Sequence, residues 1–408
     1  MNTKLRIAVT GLAATYPFGG VFWDYLQYVL GFHKLGHDVL YIEDTGKWCY
    51  DPGTYTFVED GSKNAALLDN NIRKLDPTLC DRWFYRDAAG KIFGRNWDYV
   101  KKFCRDADLF LHISASCWMR DEYYEAAKVA FIDSDPMYTQ SSVPDYLSGQ
   151  ISNEARKRVD KLLQHDVFFT FAENIGKPDC LIPTALFDWI PTRQPVVLDC
   201  FRTFIIPVDV RRRLLTTVAS WEPNEKGPLV DGIRYYGKST EFERYMGLPG
   251  VSRLPIELAI SGKAPLDRLR QNGWRTIDAY EISYDPWAYR DYLANSLGEW
   301  SVAKNAYAAS RSGWFSCRSA CYLALGVPVV VQDTGFGRFI PAGNGIFAFS
   351  TMDQSKEAIE QLCSDPEKHA KAAVAVASEY FDSNKVLARL IEQALNFQSH
   401  PDSRRNLQ

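Results

Sequence analysis

The sequence lacks the signals of several common protein classes. Among its 408 residues no apolar run approaches the roughly 18 that a membrane span needs, and residues 1–14 lack the long apolar core and cleavage site of a secretory signal. P-loop, HExxH, GxSxG and paired CxxC motifs are also missing, which argues against an NTPase, a zincin, an α/β-hydrolase and a zinc ribbon. We expect a soluble, cytoplasmic protein, and peripheral contact with a membrane stays open.

The chain also lacks a large excess of either charge and a paired set of cysteines. Lys and Arg number 47 and Asp and Glu 50, a formal net charge of -3, so no broad basic footprint for nucleic acid is present and no nucleic-acid partner is expected. The nine cysteines are odd in number and scattered. They are expected to be reduced thiols of a cytosolic protein.

What is present indicates two domains of the α/β class. A chain of 408 residues exceeds the roughly 250 to 300 residues at which a single core stops growing. In the first half, an apolar strand at 5–12, a helix at 23–35 and a strand at 38–42 form a βαβ unit. Further strands are predicted at 109–113, 129–132 and 167–170. This alternation predicts a doubly wound sheet.

The second half repeats the alternation of strands and helices. Its predicted strands are residues 214–221, 254–260, 276–280, 300–303 and 328–332, with helices that include 265–271, 286–295 and 318–325. We predict two Rossmann-like doubly wound domains facing across a cleft, at 1–207 and 208–383. A helix from 384 to 397 is predicted to cross back to the first domain, followed by a polar tail from Ser399. Open parallel sheets bind ligands beyond the carboxyl ends of their strands, so the cleft is the predicted site.

The stretch from 310 to 349 carries the most chemical information. A helix predicted to start at Arg318, Ser319 and Ala320 offers backbone N–H groups, the positive end of its dipole and a guanidinium, which suit a diphosphate. The strand that follows ends in Asp333, Thr334 and Gly335, where glycine allows close backbone approach. The competing interpretation is a helix cap followed by an ordinary turn.

Two further cations could contact the diphosphate. Lys304 follows a predicted strand, and Lys238 follows the segment 235–237 of the second half. A cation at either place could neutralise the charge of a bound diphosphate. Surface lysines are common, so ordinary solvent-exposed side chains are the alternative for both.

Several segments resemble GT-B glycosyltransferases. The run Ala-Leu-Gly-Val-Pro-Val-Val at 324–330, followed by Asp-Thr-Gly-Phe, resembles the donor half of these enzymes. More narrowly, five fragments resemble an uncharacterised bacterial group of family-1-like glycosyltransferases. They are 173–180 (ENIGKPDC), 191–197 (PTRQPVV), 299–305 (EWSVAKN), 311–323 (RSGWFSCRSACYL) and 332–336 (QDTGF).

The resemblance implies a function and part of a site. It implies a hexosyltransferase-type enzyme that moves a sugar from a nucleoside-diphosphate sugar, bound to the second domain, to a hydroxyl of an unknown acceptor, which could be a glycan, a lipid or a small molecule. The Gly19 and Gly20 loop sits where GT-B enzymes place a glycine-rich turn under the transferred sugar. Helix dipoles and basic residues replace a metal in most such enzymes, so no metal and no cofactor beyond the nucleotide sugar is expected.

Three residues are candidates for catalysis in the first domain. Asp24, near a predicted helix start, is a candidate general base, or a first-turn partner of the helix dipole. His112 ends a strand where several GT-B families place a sugar-contacting histidine, or it is a buried histidine bonded to backbone. Asp133 and Asp135 are spaced like the metal-binding Asp-x-Asp of another glycosyltransferase fold; we expect no metal there, and Asp135 is a candidate base or a turn residue.

The sequence departs from the pattern of the family at three positions. Aligned on the Gly-x-Pro of 326–328, Gly313 and Cys321 stand where many retaining members have glutamates, and Cys317 stands where the narrower group is expected to have an acid. The donor, the acceptor and the stereochemistry therefore stay open. So do two alternatives: a sugar-nucleotide 2-epimerase or hydrolase on the same fold, and a catalytically silent binding or scaffold protein.

Overall fold

The first of two main sheets is built from the amino-terminal half of the chain. The computed structural model of the protein describes residues 4–221 and 227–398. Ten strands lie in this half: β1 (Arg6–Thr10), β2 (Asp38–Asp44), β3 (Cys49–Asp51), β4 (Thr56–Val58), β5 (Trp83–Arg86), β6 (Ile92–Gly94), β7 (Leu109–Ile113), β8 (Val129–Asp133), β9 (Val167–Thr170) and β10 (Trp189–Pro191). The sheet order is β10-β9-β8-β7-β1-β2-β5-β6. Only β5 and β6 pair antiparallel within it, and β3 and β4 form a separate hairpin.

Helices cover both faces of this sheet. They are α1 (Gly19–Lys34), α2 (Ser62–Leu75), α3 (Trp97–Arg105), α4 (Val143–Ser148), α5 (Asn153–Leu162) and α6 (Asp199–Arg202). In β1, Ile7 and Val9 belong to the core cluster that contains α1, whereas Ala8 belongs to the cluster that contains α3. Side chains of a strand alternate between faces, so β1 is buried on both sides, as its continuous apolar run predicts.

The second half folds as another parallel sheet with helices. Its strands are β11 (Arg212–Trp221), β12 (Leu229–Val230), β13 (Ile233–Arg234), β14 (Ile256–Gly262), β15 (Arg275–Asp278), β16 (Ser296–Ser301), β17 (Val329–Gln332) and β18 (Ile346–Phe349). Six of them form the order β15-β14-β11-β16-β17-β18 with every pair parallel. The helices are α7 (Lys238–Arg244), α8 (Leu266–Gln271), α9 (Ala279–Ser283), α10 (Pro286–Ala294), α11 (Asn305–Ala309), α12 (Cys317–Ala324), α13 (Met352–Ser364), α14 (Pro366–Val376) and α15 (Ser383–Asn396). The predicted pair of doubly wound α/β units is confirmed.

Two predicted elements begin four residues earlier in the structure than predicted. The strand predicted at 300–303 is β16, which begins at Ser296 and includes the fully buried Glu299. The helix predicted to begin at residue 23 begins at Gly19. Gly19 and Gly20 are therefore helical residues and do not form a loop. Glycine fits there because a Cβ on Gly19 would lie 2.5 Å from the Tyr289 Cβ of α10.

Helix α1 contacts the second half of the chain along its length. The Trp23 indole N–H donates to the Pro286 carbonyl at 2.9 Å, which fixes α1 against α10. Further along, a Cβ on Gly31 would collide with a methyl group of Leu387, so α15 packs closely on α1. The domain boundary near residue 208 stays a prediction, and the predicted tail from Ser399 lies outside the described residues.

All nine cysteines are free thiols. No helix of the described chain is long and apolar enough to cross a lipid bilayer.

Candidate active site

A cavity of about 710 Å³ lies between the carboxyl ends of the two sheets. It is lined by the segment that follows β8, the ends of β11 and β14, the start of α1 and the start of α12. Its volume is in the range of ordinary ligand sites. Of the residues predicted from the sequence, the cavity brings together Gly20, Asp24, Asp135, Lys238, Lys304 and Arg318.

The amino-terminal end of α12 faces this cavity. Its N-cap, Ser316, is extended and makes no side-chain cap hydrogen bond, and the backbone bonds of the helix begin with Ala320 N donating to the Ser316 carbonyl at 3.0 Å. Ser316, Cys317 and Arg318 all line the cavity. The N–H groups of a first helical turn have no acceptors within the helix, and together with the dipole they favour an anion. The turn is therefore open to the gap between the sheets.

The guanidinium of Arg318 donates hydrogen bonds to a buried carboxylate and to two other groups. Its Nε donates to Glu299 Oε1 at 2.7 Å, its Nη1 to the Val218 carbonyl at 2.7 Å, and its Nη2 to the Ser301 hydroxyl. The Arg318 side chain is 12% exposed and that of Glu299 is 0%. Arg318 thus lines the cavity in a fixed orientation, with part of its charge offset by Glu299. Sequence reasoning missed Glu299, although an acid inside an apolar strand signals a buried partner.

Ser319 and Ala320 lie beneath this turn. Both are fully buried, and the Ser319 hydroxyl has no hydrogen-bond partner among the described residues. Neither side chain belongs to the lining of the cavity. Their predicted contribution to donor binding is therefore limited to the backbone of the helix start.

A cluster of polar side chains bridges the cavity from one sheet to the other. Asp135, which follows β8, accepts hydrogen bonds from the Lys304 ammonium at 2.7 Å and from the Tyr307 hydroxyl. The Lys304 ammonium also lies 4.7 Å from the centre of the Tyr138 ring. Lys238, at the first position of α7, lines the same cavity. Both predicted lysines are thus at the site, and an anionic side chain of the first sheet contacts one of them.

Asp24 also lines the cavity, from the second turn of α1. Burial raises the pKa of this carboxyl to about 7; the charge of Arg318 opposes that shift, Asp135 adds to it, and a hydrogen bond from the Cys317 thiol opposes it. Burial likewise raises the pKa of the Cys317 thiol, which keeps the thiol protonated and able to donate.

The first helical turn of α1 holds no acidic residue. The interpretation of Asp24 as a first-turn dipole partner is therefore wrong, because the helix begins five residues earlier.

The structure does not bring His112 to the cavity. This side chain is buried, its ring stacks on that of His165 with centres 5.1 Å apart, and its Nε2 accepts from the Cys117 N–H at 3.3 Å. Burial, and next the neighbouring His165, lower the pKa of His112 well below its ordinary value. A neutral histidine in the core cannot contact a sugar in the cleft, so its placement contradicts the predicted catalytic role.

Asp133 and Asp135 point to different environments. Asp133 is buried and accepts from Thr139, Gln140 and Thr170 at 2.7 to 2.9 Å. Burial raises its pKa to about 6 against the lowering effect of these bonds. Within the described ranges, no group of three or more His, Cys, Asp or Glu side chains could hold a metal ion. That the reaction needs no metal stays a prediction.

The loop after β17 supports the site without lining it. The Asp333 carboxylate accepts from the Gly335 N–H at 2.8 Å, and the Thr334 hydroxyl donates to the Trp314 carbonyl at 2.6 Å. The Thr334 carbonyl also accepts from the Gly313 N–H at 2.7 Å. None of the three predicted loop residues lines the cavity. They hold the segment that leads into α12. Gly19 does not line the cavity either, because it packs on α10.

The geometry explains why Gly313 cannot carry a glutamate. Its φ is +79°, and a Cβ would lie 2.5 Å from the backbone nitrogen of Asn174. We predict that Gly313→Ala lowers the free energy of unfolding by about 2–4 kcal/mol, from the unfavourable φ and the overpacking together. The control is Gly149→Ala, with φ of +75° and no atom within 4 Å of its Cβ. Urea unfolding checks this, and equal losses in the two variants would contradict the steric argument.

Three aromatic side chains that were not predicted form one side of the cavity. Phe18 before α1, Tyr50 in β3 and Tyr280 in α9 line it together. The Tyr50 and Tyr280 rings stack with centres 5.4 Å apart, and the Phe18 ring lies 5.1 and 5.5 Å from them. These rings come from both halves of the chain. Most aromatics are simply core, so composition alone could not identify these three.

Comparisons with known proteins agree on the architecture. A scan against protein-family models and a search of curated proteins each found no match. Solved structures do match over nearly the whole chain. One is an alpha-glucosyltransferase in complex with UDP, with 13% identity over 95% of this chain and 99% of that one and a TM-score of 0.56. Another, a glycosyltransferase involved in avilamycin A biosynthesis, has 14% identity over 96% and 97% and a TM-score of 0.52.

A glycosyltransferase from Rickettsia africae ESF-5 matches in the same way, with 13% identity over 97% of this chain and 100% of that one and a TM-score of 0.52. At these identities the likeness concerns the arrangement of the two sheets and their helices. The chain has the GT-B fold, with two Rossmann-like domains facing across a cleft.

Proposed function

We propose that this GT-B protein transfers a hexosyl group from a nucleoside-diphosphate sugar to a hydroxyl of an acceptor. One observation carries the proposal. The open amino-terminal turn of α12, two lysines and a carboxyl group with a pKa of about 7 line one cavity between the two sheets. Groups that could stabilise a leaving diphosphate and a group that could accept a proton thus line the same cavity, which could hold a nucleotide sugar.

In the proposed complex the diphosphate lies against the start of α12. Backbone N–H groups of Cys317 and Arg318, the Arg318 guanidinium and the ammonium of Lys304 would contact its oxygens. The N–H groups and the Arg318 guanidinium already line the cavity, so they need little reorganisation as charge develops on the leaving group. Lys304 first has to leave Asp135. Transfer by this route needs no metal. One of the similar solved structures contains UDP-glucose and DNA, so uridine nucleotides are the first donors to test.

The proposed general base is Asp24. Its carboxylate takes the proton of the acceptor hydroxyl, the acceptor oxygen bonds to the anomeric carbon, and the bond from that carbon to the diphosphate oxygen breaks. The nucleoside diphosphate leaves with the bonding electrons. Asp135 is a poorer candidate because Lys304 and Tyr307 already hold one of its oxygens. A base with a pKa near the working pH is well suited to this step.

The test is release of nucleoside diphosphate from a panel of uridine, guanosine, thymidine and adenosine diphosphate sugars, with and without a mixture of glycan, lipid and small-molecule hydroxyl compounds. Release that depends on the mixture, with a glycosylated product, is the expected result. Free sugar without any acceptor would indicate a hydrolase, and a changed sugar an epimerase. Binding without turnover would favour a scaffold, and no binding of any member would overturn the proposal.

Asp135 should compete with the donor for Lys304. We predict that Asp135→Asn lowers the dissociation constant of the nucleoside diphosphate by about twofold to fivefold, because exposed ion pairs contribute up to about 1 kcal/mol. The control is Asp121→Asn, which removes an exposed carboxylate outside the cavity. Titration calorimetry checks the result. Equal affinity in Asp135→Asn and the control would contradict competition for the ammonium.

A further inference from the structure

A second cavity of about 750 Å³ shares no lining residue with the first. It lies where three separate segments meet: residues 173–193 of the first half, the turn at Arg338 and Phe339, and residues 379–389 around the start of α15. Two of the fragments that resemble glycosyltransferases, 173–180 and 191–197, contribute to its wall, although the proposed transfer step does not use them.

The wall of this second cavity is rich in positive charge. Five basic side chains line it: Lys177, Arg193, Arg338, Lys385 and Arg389. Among the described residues, two acidic side chains do so, Glu173 and Glu379. The wall therefore has a formal charge of +3, five minus two, although the chain as a whole has a net charge of -3. A concave surface of one sign concentrates ligands of the opposite sign.

Both acidic side chains are already held by neighbouring cations. Glu173, buried, accepts from the Arg193 guanidinium, and the charge of Arg389 acts on the same carboxylate. Glu379 accepts from Lys385 at 2.6 Å. The acids thus fix two of the cations in place, and Asp179, outside the wall, accepts from Arg338 at 3.1 Å. The remaining positive charge of the wall comes from Lys177 and Arg389, which are both exposed.

Contacts with neighbouring side chains orient the guanidinium groups of Arg193 and Arg338. The Arg193 guanidinium lies 5.6 Å from the centre of the Tyr380 ring. Arg338 donates to the Asn174 side-chain oxygen at 2.6 Å and to Asp179 at 3.1 Å. A planar guanidinium whose orientation is fixed can present two parallel N–H groups to a phosphate.

We propose that this second cavity binds a small molecule bearing more than one phosphate group, with Lys177, Arg193 and Arg389 as its main contacts. The site is separate from the proposed donor site and does not depend on glycosyl transfer. Its ligand would contact all three segments of the wall: residues 173–193, the turn at Arg338 and the start of α15. Binding would therefore reduce local opening of all three segments.

Hydrogen exchange with inorganic pyrophosphate as the probe tests the proposal on the intact protein. The expected result is slower exchange in peptides that cover 173–193 and 379–392, and loss of that protection in Lys177→Ala/Arg389→Ala. Both side chains are exposed, so the variant should fold. The control variant is Lys368→Ala/Lys371→Ala, which removes two charges outside the cavity and should keep the protection.

Two results would overturn the proposal. One is protection limited to peptides around the start of α12, which would place pyrophosphate in the first cavity only. The other is protection at 379–392 that survives in Lys177→Ala/Arg389→Ala. Citrate in place of pyrophosphate separates a phosphate site from a general anion site: equal protection by citrate would contradict the selectivity for phosphate. Activity does not enter this test, so its outcome is independent of the proposed transfer reaction.

Discussion

Arg318→Met is expected to lower turnover by about 100-fold or more and the free energy of unfolding by about 3–5 kcal/mol. The loss of turnover follows from removing a fixed donor at the leaving group, which typically costs about 100-fold to 1,000-fold. The loss of stability has a different cause. Glu299 is fully buried and its carboxylate would lose the guanidinium that it accepts from, which leaves an uncompensated charge in the core.

A double variant separates the two effects. In Glu299→Gln/Arg318→Met the buried charge is gone as well, so most of the stability should return while turnover stays low. Urea unfolding and release of nucleoside diphosphate measure the two quantities on the same samples. If turnover recovered together with stability, Arg318 would act through folding only and would not contact the donor.

Asp24→Asn is expected to lower turnover by about 100-fold to 10,000-fold and to change its pH dependence. The carboxylate is the form that accepts a proton, and the pKa of Asp24 is raised to about 7. In the wild type kcat/KM should therefore rise with pH up to about 7 and level off above it, whereas the variant should lack that rise. Rates measured from about pH 5 to pH 9 check this. If kcat/KM of Asp24→Asn kept the pH dependence of the wild type, Asp24 would not be the base.

The same variant should gain stability at high pH. A carboxyl group whose pKa is raised on folding binds its proton more tightly in the folded state, so its contribution is greatest below the ordinary pKa of 3.8 and falls as the pH rises to about 7. Asparagine removes this dependence. Asp24→Asn should be more stable than the wild type at about pH 8, and the difference should shrink towards about pH 4. Asp24→Glu, which keeps the charge, should not show the gain.

The fold was largely predictable from the sequence because buried parallel strands leave a clear pattern. The apolar runs of β7, β9 and β17 were found with almost their true bounds. The region from 45 to 108 received no assignment, although it contains β3 to β6, α2 and α3. Short strands such as Cys49–Asp51 and the polar helix α2 carry little periodic signal, and their formation depends on packing against the finished sheet.

The site was predictable only in part. Arg318 and Lys304 were found because a cation beside a helix start or a strand end has a defined chemical use. His112 was misplaced because a strand end in sequence does not say whether a side chain faces the cleft or the core, and a one-residue change reverses this. Glu299 and Tyr280 were missed because their roles depend on partners more than 15 residues away.

The most direct test of the proposed donor site is a crystal structure of the protein with the nucleoside diphosphate that binds most tightly in the panel. We expect diphosphate oxygens within hydrogen-bond distance of the N–H groups of Cys317 and Arg318, with Lys304 turned from Asp135 towards the phosphate. A nucleotide bound elsewhere, with the start of α12 free of contacts, would contradict it.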